Sequence, residues 1–167
     1  KNDINGASKQ YYICHKNFNY KINKKIIDGI FKEEKKLKLS EEKTFKNFIN
    51  SINKSKNKLY KFIKQKTKLG KKVHGYGAST KGNVLLQYYN INNKMVDFIA
   101  ERNSKKYNLY TPGTKIKIIS EALSRFYRPD YYLVLPWHFK KEILLREKEI
   151  RRKGTKFIFP LPSLKII

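Results

Sequence analysis

From Gly70 onward the sequence alternates short apolar runs with amphipathic segments, and this alternation restricts the fold more than any other feature of the chain. Strands are predicted at 73–76, 95–100, 115–119, 130–135 and 155–159. Helices are predicted at 82–90, at 120–128 behind the cap Ser120, and at 138–153 before Gly154. A strand, a crossover helix and a second strand return to one sheet in parallel, so the fold class is α/β: a Rossmann-like, mostly parallel sheet with flanking helices. Before it, Phe45, Phe48, Ile49, Ile52, Leu59, Phe62 and Ile63 recur at helical spacing. Ser40, followed by Glu41 and Glu42, reads as the N-cap of a long leading helix, 40–69, that stops at Gly70. Its apolar stripe is expected to pack on the sheet domain or to bridge it to a preceding one.

A chain of 167 residues holds one ordinary domain with a core. Asn5-Gly6 reads as a turn, and Tyr11, Tyr12, Ile13 and Cys14 as a short strand without a nearby partner. The expected organisation is therefore 1–39 as the tail of a preceding domain plus a linker, and 40–167 as one domain. A first residue other than methionine agrees with a piece of something longer.

Composition narrows the classes. No apolar run approaches the roughly 20 residues of a membrane span, and no signal-peptide core follows the charged start, so a soluble, cytoplasmic protein without a membrane partner is expected. The one cysteine, Cys14, leaves no internal disulfide, and with His15, His74 and His138 it matches no zinc-ligand spacing. The formal net charge is +26, yet only six of the 39 basic residues are arginine, the residue favoured for bidentate base and phosphate recognition. Solvated lysine faces account for the charge, and nucleic acid is not an expected partner, although phosphorylated ligands would be drawn in.

In such sheets ligands lie at the carboxyl ends of the strands. Three stretches qualify. "GYGASTKGN" offers Gly75, Tyr76, Gly77, Ala78, Ser79, Thr80, Lys81 and Asn83, "ERNSKKYNLYTPGT" offers Glu101, Arg102 and Asn103, and "PWHF" offers Pro136, Trp137 and His138. Clustered glycines allow a ligand close to bare backbone N–H groups, and Gly77, Ser79, Thr80 and Lys81 at a helix start make an anion cradle. The bland reading is a tight strand-to-helix turn. The glycine spacing at 75, 77 and 82 is longer than the dinucleotide fingerprint, Glu101 is placed to bind ribose hydroxyls, and Thr80-Lys81-Gly82-Asn83 excludes a P-loop. Ser79 lacks a nucleophile elbow, and His138 has no carboxylate near it in sequence, so no catalytic residue is assigned. The residues alone leave open a free-standing NAD or nucleotide-binding module and a basic nucleic-acid binder.

Together "GYGASTKGN", "ERN" with the following "YTPGT", "PDYYLVLPWHF" and "GTKFIFPLP" resemble the C-terminal domain of S-adenosylmethionine-dependent sugar C-methyltransferases over about 40–167. "NGAS" at 5–8 is similar to the "NGGS" that closes the preceding methyl-donor domain of that family. The resemblance implies a larger enzyme. A cysteine-rich module would bind zinc, a central domain would bind S-adenosylmethionine, and this domain would help hold a nucleotide-diphosphate keto sugar. It further implies that an enolate attacks the sulfonium methyl and that the base is a histidine of the central domain, whether joined in the same chain or separate. The 167 residues alone are then expected to transfer no methyl group and to hold neither zinc nor S-adenosylmethionine. The sequence departs from the family at Ser104 in place of proline, Asn108 and Thr155 in place of glycine, and Ala7 in "NGGS".

Overall fold

Strands covered on both faces need apolar side chains at successive positions, and the run Tyr131–Val134 at the centre of the chain's longest apolar stretch supplies them. The computed structural model describes residues 8, 10–19 and 21–167. Its elements are α1 (Lys24–Lys36), α2 (Glu42–Lys68), β1 (Val73–Tyr76), α3 (Thr80–Tyr88), β2 (Phe98–Glu101), β3 (Lys117–Ser120), α4 (Glu121–Phe126), β4 (Tyr131–Val134), α5 (Lys140–Arg146), α6 (Lys148–Arg152), β5 (Lys156–Phe159) and β6 (Lys165–Ile166). Short 3₁₀ turns cover Ser104–Lys106 and Trp137–Phe139. Among the described residues the sheet order is β3-β2-β1-β4-β5-β6, parallel throughout except for β6, which runs antiparallel to β5. The expected α/β class and mostly parallel sheet are present, with the long helix ahead of them.

The chain forms two compact units, Lys1–Ile52 and Asn53–Ile167, the boundary falling within α2. In the first unit α1 buries no residue, and Ile26, Phe31, Phe45, Phe48 and Ile49 are all exposed. In the second, register sorts the strand side chains into two faces. His74 lies opposite Tyr132 and Tyr76 opposite Val134, and Tyr132 in turn lies opposite Phe157, so these share one face. There they form an aromatic core with Ile143 of α5, and Ser124 of α4 bonds His74 and Tyr132. On the other face Tyr131 meets Phe62 of α2 edge-on at 5.5 Å, while Leu59 and Ile63 are fully buried. The α2 helix ends as expected at Gly70: at φ +72 its N–H bonds the Thr67 carbonyl and that of Lys71 reaches back to Lys66.

Four local expectations are corrected. Tyr11–Cys14 are not a strand: a strand is stabilised by its ladder, and these residues pair with none among the described residues. The expected turn at Asn5-Gly6, and "NGAS" apart from Ser8, lie outside the described residues. Ser40 does not cap α2, because a turn closed by the Glu41 N–H on the Lys38 carbonyl at 3.0 Å absorbs it, and the helix starts at Glu42. The single helix expected over 138–153 is two, α5 and α6, parted at Glu147, whose φ of −96° and ψ of 25° leave the helical region. Finally, 24–36 is a helix rather than linker, capped by Asn23, whose side chain accepts the Ile26 N–H at 3.3 Å. Its signal was Ile26, Ile27, Ile30 and Phe31 at helical spacing.

Gly82 marks the closest approach of α3 to the sheet: a Cβ built there would lie 2.5 Å from Cβ of Leu135. Gly82→Ala is therefore expected to cost about 1–3 kcal/mol in urea denaturation, the usual range for overpacking. His74 supplies a second test. It is buried, with Nδ1 2.8 Å from the Ser124 hydroxyl and Nε2 4.0 Å from Asp97. Burial, helped by the charge of Lys72, pushes its pKa down to about 4 from 6.5. Between those values the unfolded chain takes a proton that the folded chain refuses, so stability is full above pH 6.5 and falls as pH drops toward 4. The loss over that window is expected to be about 3 kcal/mol, and His74→Gln should flatten it.

Candidate functional site

The strand order reverses between β1 and β4, and loops leaving their carboxyl ends in opposite directions open a crevice there. It has a volume of about 300 Å³. Its floor is the turn after β1. Gly77, at φ +80, donates its N–H to the Ala100 carbonyl at 2.8 Å, and a Cβ on it would fall 2.9 Å from the ring of Pro136. Only glycine suits both demands, which brings the "GYG" and "PWHF" loops together. Ser79 then caps α3, accepting the Gly82 N–H at 3.1 Å. Its hydroxyl oxygen thus serves the backbone, and Thr80 and Lys81 form the first turn of α3, where the helix dipole favours an anion.

Glu101 joins this floor to the next loop. One carboxylate oxygen accepts the Ala78 N–H at 2.7 Å and the other accepts those of Arg102 and Asn103, each at 2.9 Å. Lys106 lies 3.8 Å from the same carboxylate and donates to the Ala78 carbonyl at 2.8 Å. Three backbone donors and an ammonium thus occupy a group with about four acceptor positions. The Glu101 carboxylate works as a clasp between the loops after β1 and β2. Asn103 caps the 3₁₀ turn that carries Lys106. The remainder of that loop folds back on β3, Asn108 donating to Ile118 and Thr111 to Ile116, so only its first residues reach the crevice. Asn108, where the resembled family has glycine, adopts φ 64, a conformation asparagine tolerates.

Behind the crevice stands a buried ion network. Glu147 is 3% exposed and accepts from Tyr76 Oη at 2.6 Å, Arg125 Nη2 at 2.6 Å and Arg125 Nε at 3.2 Å. Arg146 donates to the Tyr76 hydroxyl and to Glu121, the latter at 3.1 Å, while Arg125 also reaches Glu121 at 2.9 Å. Burial alone would raise the Glu147 carboxyl, but the hydrogen bonds from Arg125 and Tyr76, with both guanidinium charges, hold it below its ordinary value. Burial raises the Tyr76 hydroxyl, which stays protonated and donates.

Of the residues singled out in the sequence, Tyr76, Gly77, Ala78, Ser79, Glu101, Arg102 and Pro136 line the crevice together. Gly75 is buried inside β1, and Asn103, Thr80, Lys81 and Asn83 stand outside the lining, the Oδ1 of Asn83 being buried without a partner among the described residues. Trp137 packs on the aromatic core. His138 stacks obliquely on Phe139 at 4.3 Å, and burial followed by the charge of Lys81 lowers its pKa. Sequence reasoning missed Lys106, Glu121, Phe139, Glu142, Ile143 and Arg146. A signal existed for Lys106, inside the second loop, and for Phe139, the last residue of the third. The others come from the start of α4 and from α5 along its length to Arg146, elements that face the crevice only once the sheet order is known. Among the described residues no cluster of three or more metal-ligating side chains forms.

The network generates a test. Glu147→Leu leaves Arg125 and Arg146 with Glu121 as their remaining shared carboxylate, and their side chains are 39% and 31% exposed, so water relieves part of the cost. The expected loss is about 2 kcal/mol in urea denaturation, below the 3–5 of a fully buried broken pair. With the Glu147 pKa held below 4.5, the pair's contribution is present above that pH and lost as pH falls through the lower folded value, a dependence the variant should lack.

Comparison with known proteins bears on this geometry. A C-methyltransferase from Streptomyces niveus, NovU, is 38% identical over 98 residues, which cover 59% of this chain and 23% of the relative. The matched part therefore spans about a quarter of that protein's length. The sequence model of the C-methyltransferase C-terminal domain family matches residues 3–162. With nearly its whole length matched, this chain belongs to the C-methyltransferase C-terminal domain family.

Proposed function

We propose that the crevice binds the diphosphate of a nucleotide-linked keto sugar, as part of a S-adenosylmethionine-dependent C-methyltransferase acting in the cytoplasm. The observation that carries the reading is the convergence, at the topological switch point, of the α3 amino end with Arg102 and Lys106. The Arg102 guanidinium makes no hydrogen bond or ion pair to the described residues and so is available to a ligand. Pro136, Phe139 and Ile143 offer an apolar wall suited to a base or sugar ring, and Lys81 adds positive charge beside the first turn of α3.

The methyl donor is assigned in this reading to a preceding domain, in the same chain or a separate one, and zinc to a module beyond that. The role left to these residues is to hold and orient the nucleotide sugar. The isolated 167 residues are then inactive in methyl transfer.

Isothermal titration with thymidine-diphosphate sugars, NAD and S-adenosylmethionine tests the proposal. Saturable binding of the diphosphate sugar is expected, and saturable NAD binding without it would overturn the reading. A partly buried charge-assisted contact is worth about 1.5–3 kcal/mol, so Arg102→Gln is expected to weaken binding roughly ten- to a hundredfold, and Lys81→Ala, which removes a charge outside the lining, by a smaller factor. Unchanged affinity in both folded variants would reduce the glycine-rich loop to a structural turn.

A further inference from the structure

A second cavity, of about 580 Å³, opens at the opposite end of the strands, where the chain enters β4 and β5. It lies between the carboxyl end of α4 and the segment from α6 to Thr155, and the proposed function does not use it. Three carboxylates line it, and each is already engaged. Asp130 accepts from Lys71 Nζ and from the Lys72 N–H, both at 2.9 Å, Glu149 accepts from Arg152 at 2.8 Å, and Glu147 belongs to the network described above. Two cations that line it, Arg128 and Lys153, make no hydrogen bond or ion pair to the described residues. The charge left to meet a ligand is therefore positive on two walls of a concave site.

The backbone adds to this. Arg128 sits at φ 49, between the last turn of α4 and Pro129, in a region that long side chains rarely adopt. A glycine or asparagine would end α4 with less strain, yet the position places a guanidinium at the cavity. Arg125, on the same wall, engages its carboxylates through Nε and Nη2. A guanidinium fork on one side with a compact ammonium on the other suits an anion with several oxygens, and the volume falls within the range of small-molecule sites.

We infer that this cavity is a second anion site, taking a small molecule through a pyrophosphate or phosphate-ester group held between Arg128 and Lys153. The group would come from a free phosphate compound or from the phosphate end of a nucleotide, and a chain this basic also binds anions diffusely, so the test separates these sources. Inorganic pyrophosphate is titrated into the full chain at about 0.15 M salt, where interactions between distant surface charges are largely screened. In the Arg102→Gln background, which removes the crevice's share of the signal, saturable binding is still expected, weakened at least tenfold on adding Arg128→Gln/Lys153→Gln and unchanged on adding Lys58→Gln/Lys61→Gln, two exposed lysines of α2. Should the double variant fold poorly, Lys153→Gln alone, at an exposed position, is expected to weaken binding severalfold. Binding that persists when thymidine diphosphate fills the crevice assigns the site to a free phosphate compound, and displacement from this cavity by thymidine diphosphate in the Arg102→Gln background assigns it to a nucleotide. No saturable binding, equal loss in the α2 variant, or loss in Arg102→Gln with none in the Arg128 and Lys153 variants would overturn the proposal. The crevice reading stands or falls separately, on diphosphate-sugar binding.

Discussion

The buried carboxylate of Glu147 is the constraint on which the arrangement of the second unit depends. An ionised group at 3% exposure is tolerated only with full compensation, and here it comes from three directions: Tyr76 at the end of β1, Arg125 on α4, and Arg146 one residue before it. Satisfying them costs the helix its continuity, since the backbone leaves helical geometry at Glu147 and α5 gives way to α6. The break in turn sets where Arg146 stands. That residue lines both cavities, with Glu121 and Tyr76 on the crevice side and Arg125 on the other, so one charged cluster forms the wall between them.

Close backbone approach does for the crevice floor what charge does for its wall. Gly77 against Pro136 and Gly82 against Leu135 let the loop after β1 and the start of α3 press onto the end of β4. The Glu101 clasp then holds the loop after β2 to the same floor. A rigid floor with Arg102 projecting freely from it is the kind of preorganised site in which few groups need ordering when a ligand arrives. Glycine at these positions is thus used for packing and turn geometry, and the anion reading rests on the helix end and on the cations rather than on the glycines themselves.

Charge reads differently once its placement is known. The net charge of +26 is carried mainly by exposed lysines, many of them on the solvent faces of α1 and α2. The arginines that matter are few, and they divide by partner: Arg125 and Arg146 are spent on buried carboxylates, whereas Arg102 and Arg128 are left over at two separate concavities. Surplus arginine at a concave surface is a stronger indication of anion binding than any total.

The sequence by itself determined the layer architecture, because apolar runs of strand length separated by amphipathic segments have few ways to bury themselves other than a parallel sheet between helices. It also determined the Gly70 stop, the Ser120 cap and the turn at Gly77, since each depends on one residue's own backbone preferences or on a partner a few positions away. What it left undecided involved groups far apart along the chain. That Glu101 would spend its carboxylate on Ala78, that Glu147 would break a helix to meet Tyr76 and Arg125, and that Phe139, Glu142 and Arg146 would face the crevice all follow from the sheet order β3-β2-β1-β4-β5-β6. The strand-like run at 11–14 and the unrecognised helix at 24–36 mark the same limit: an isolated apolar run does not specify its partner, and a ladder or a packed face exists only when tertiary structure supplies one.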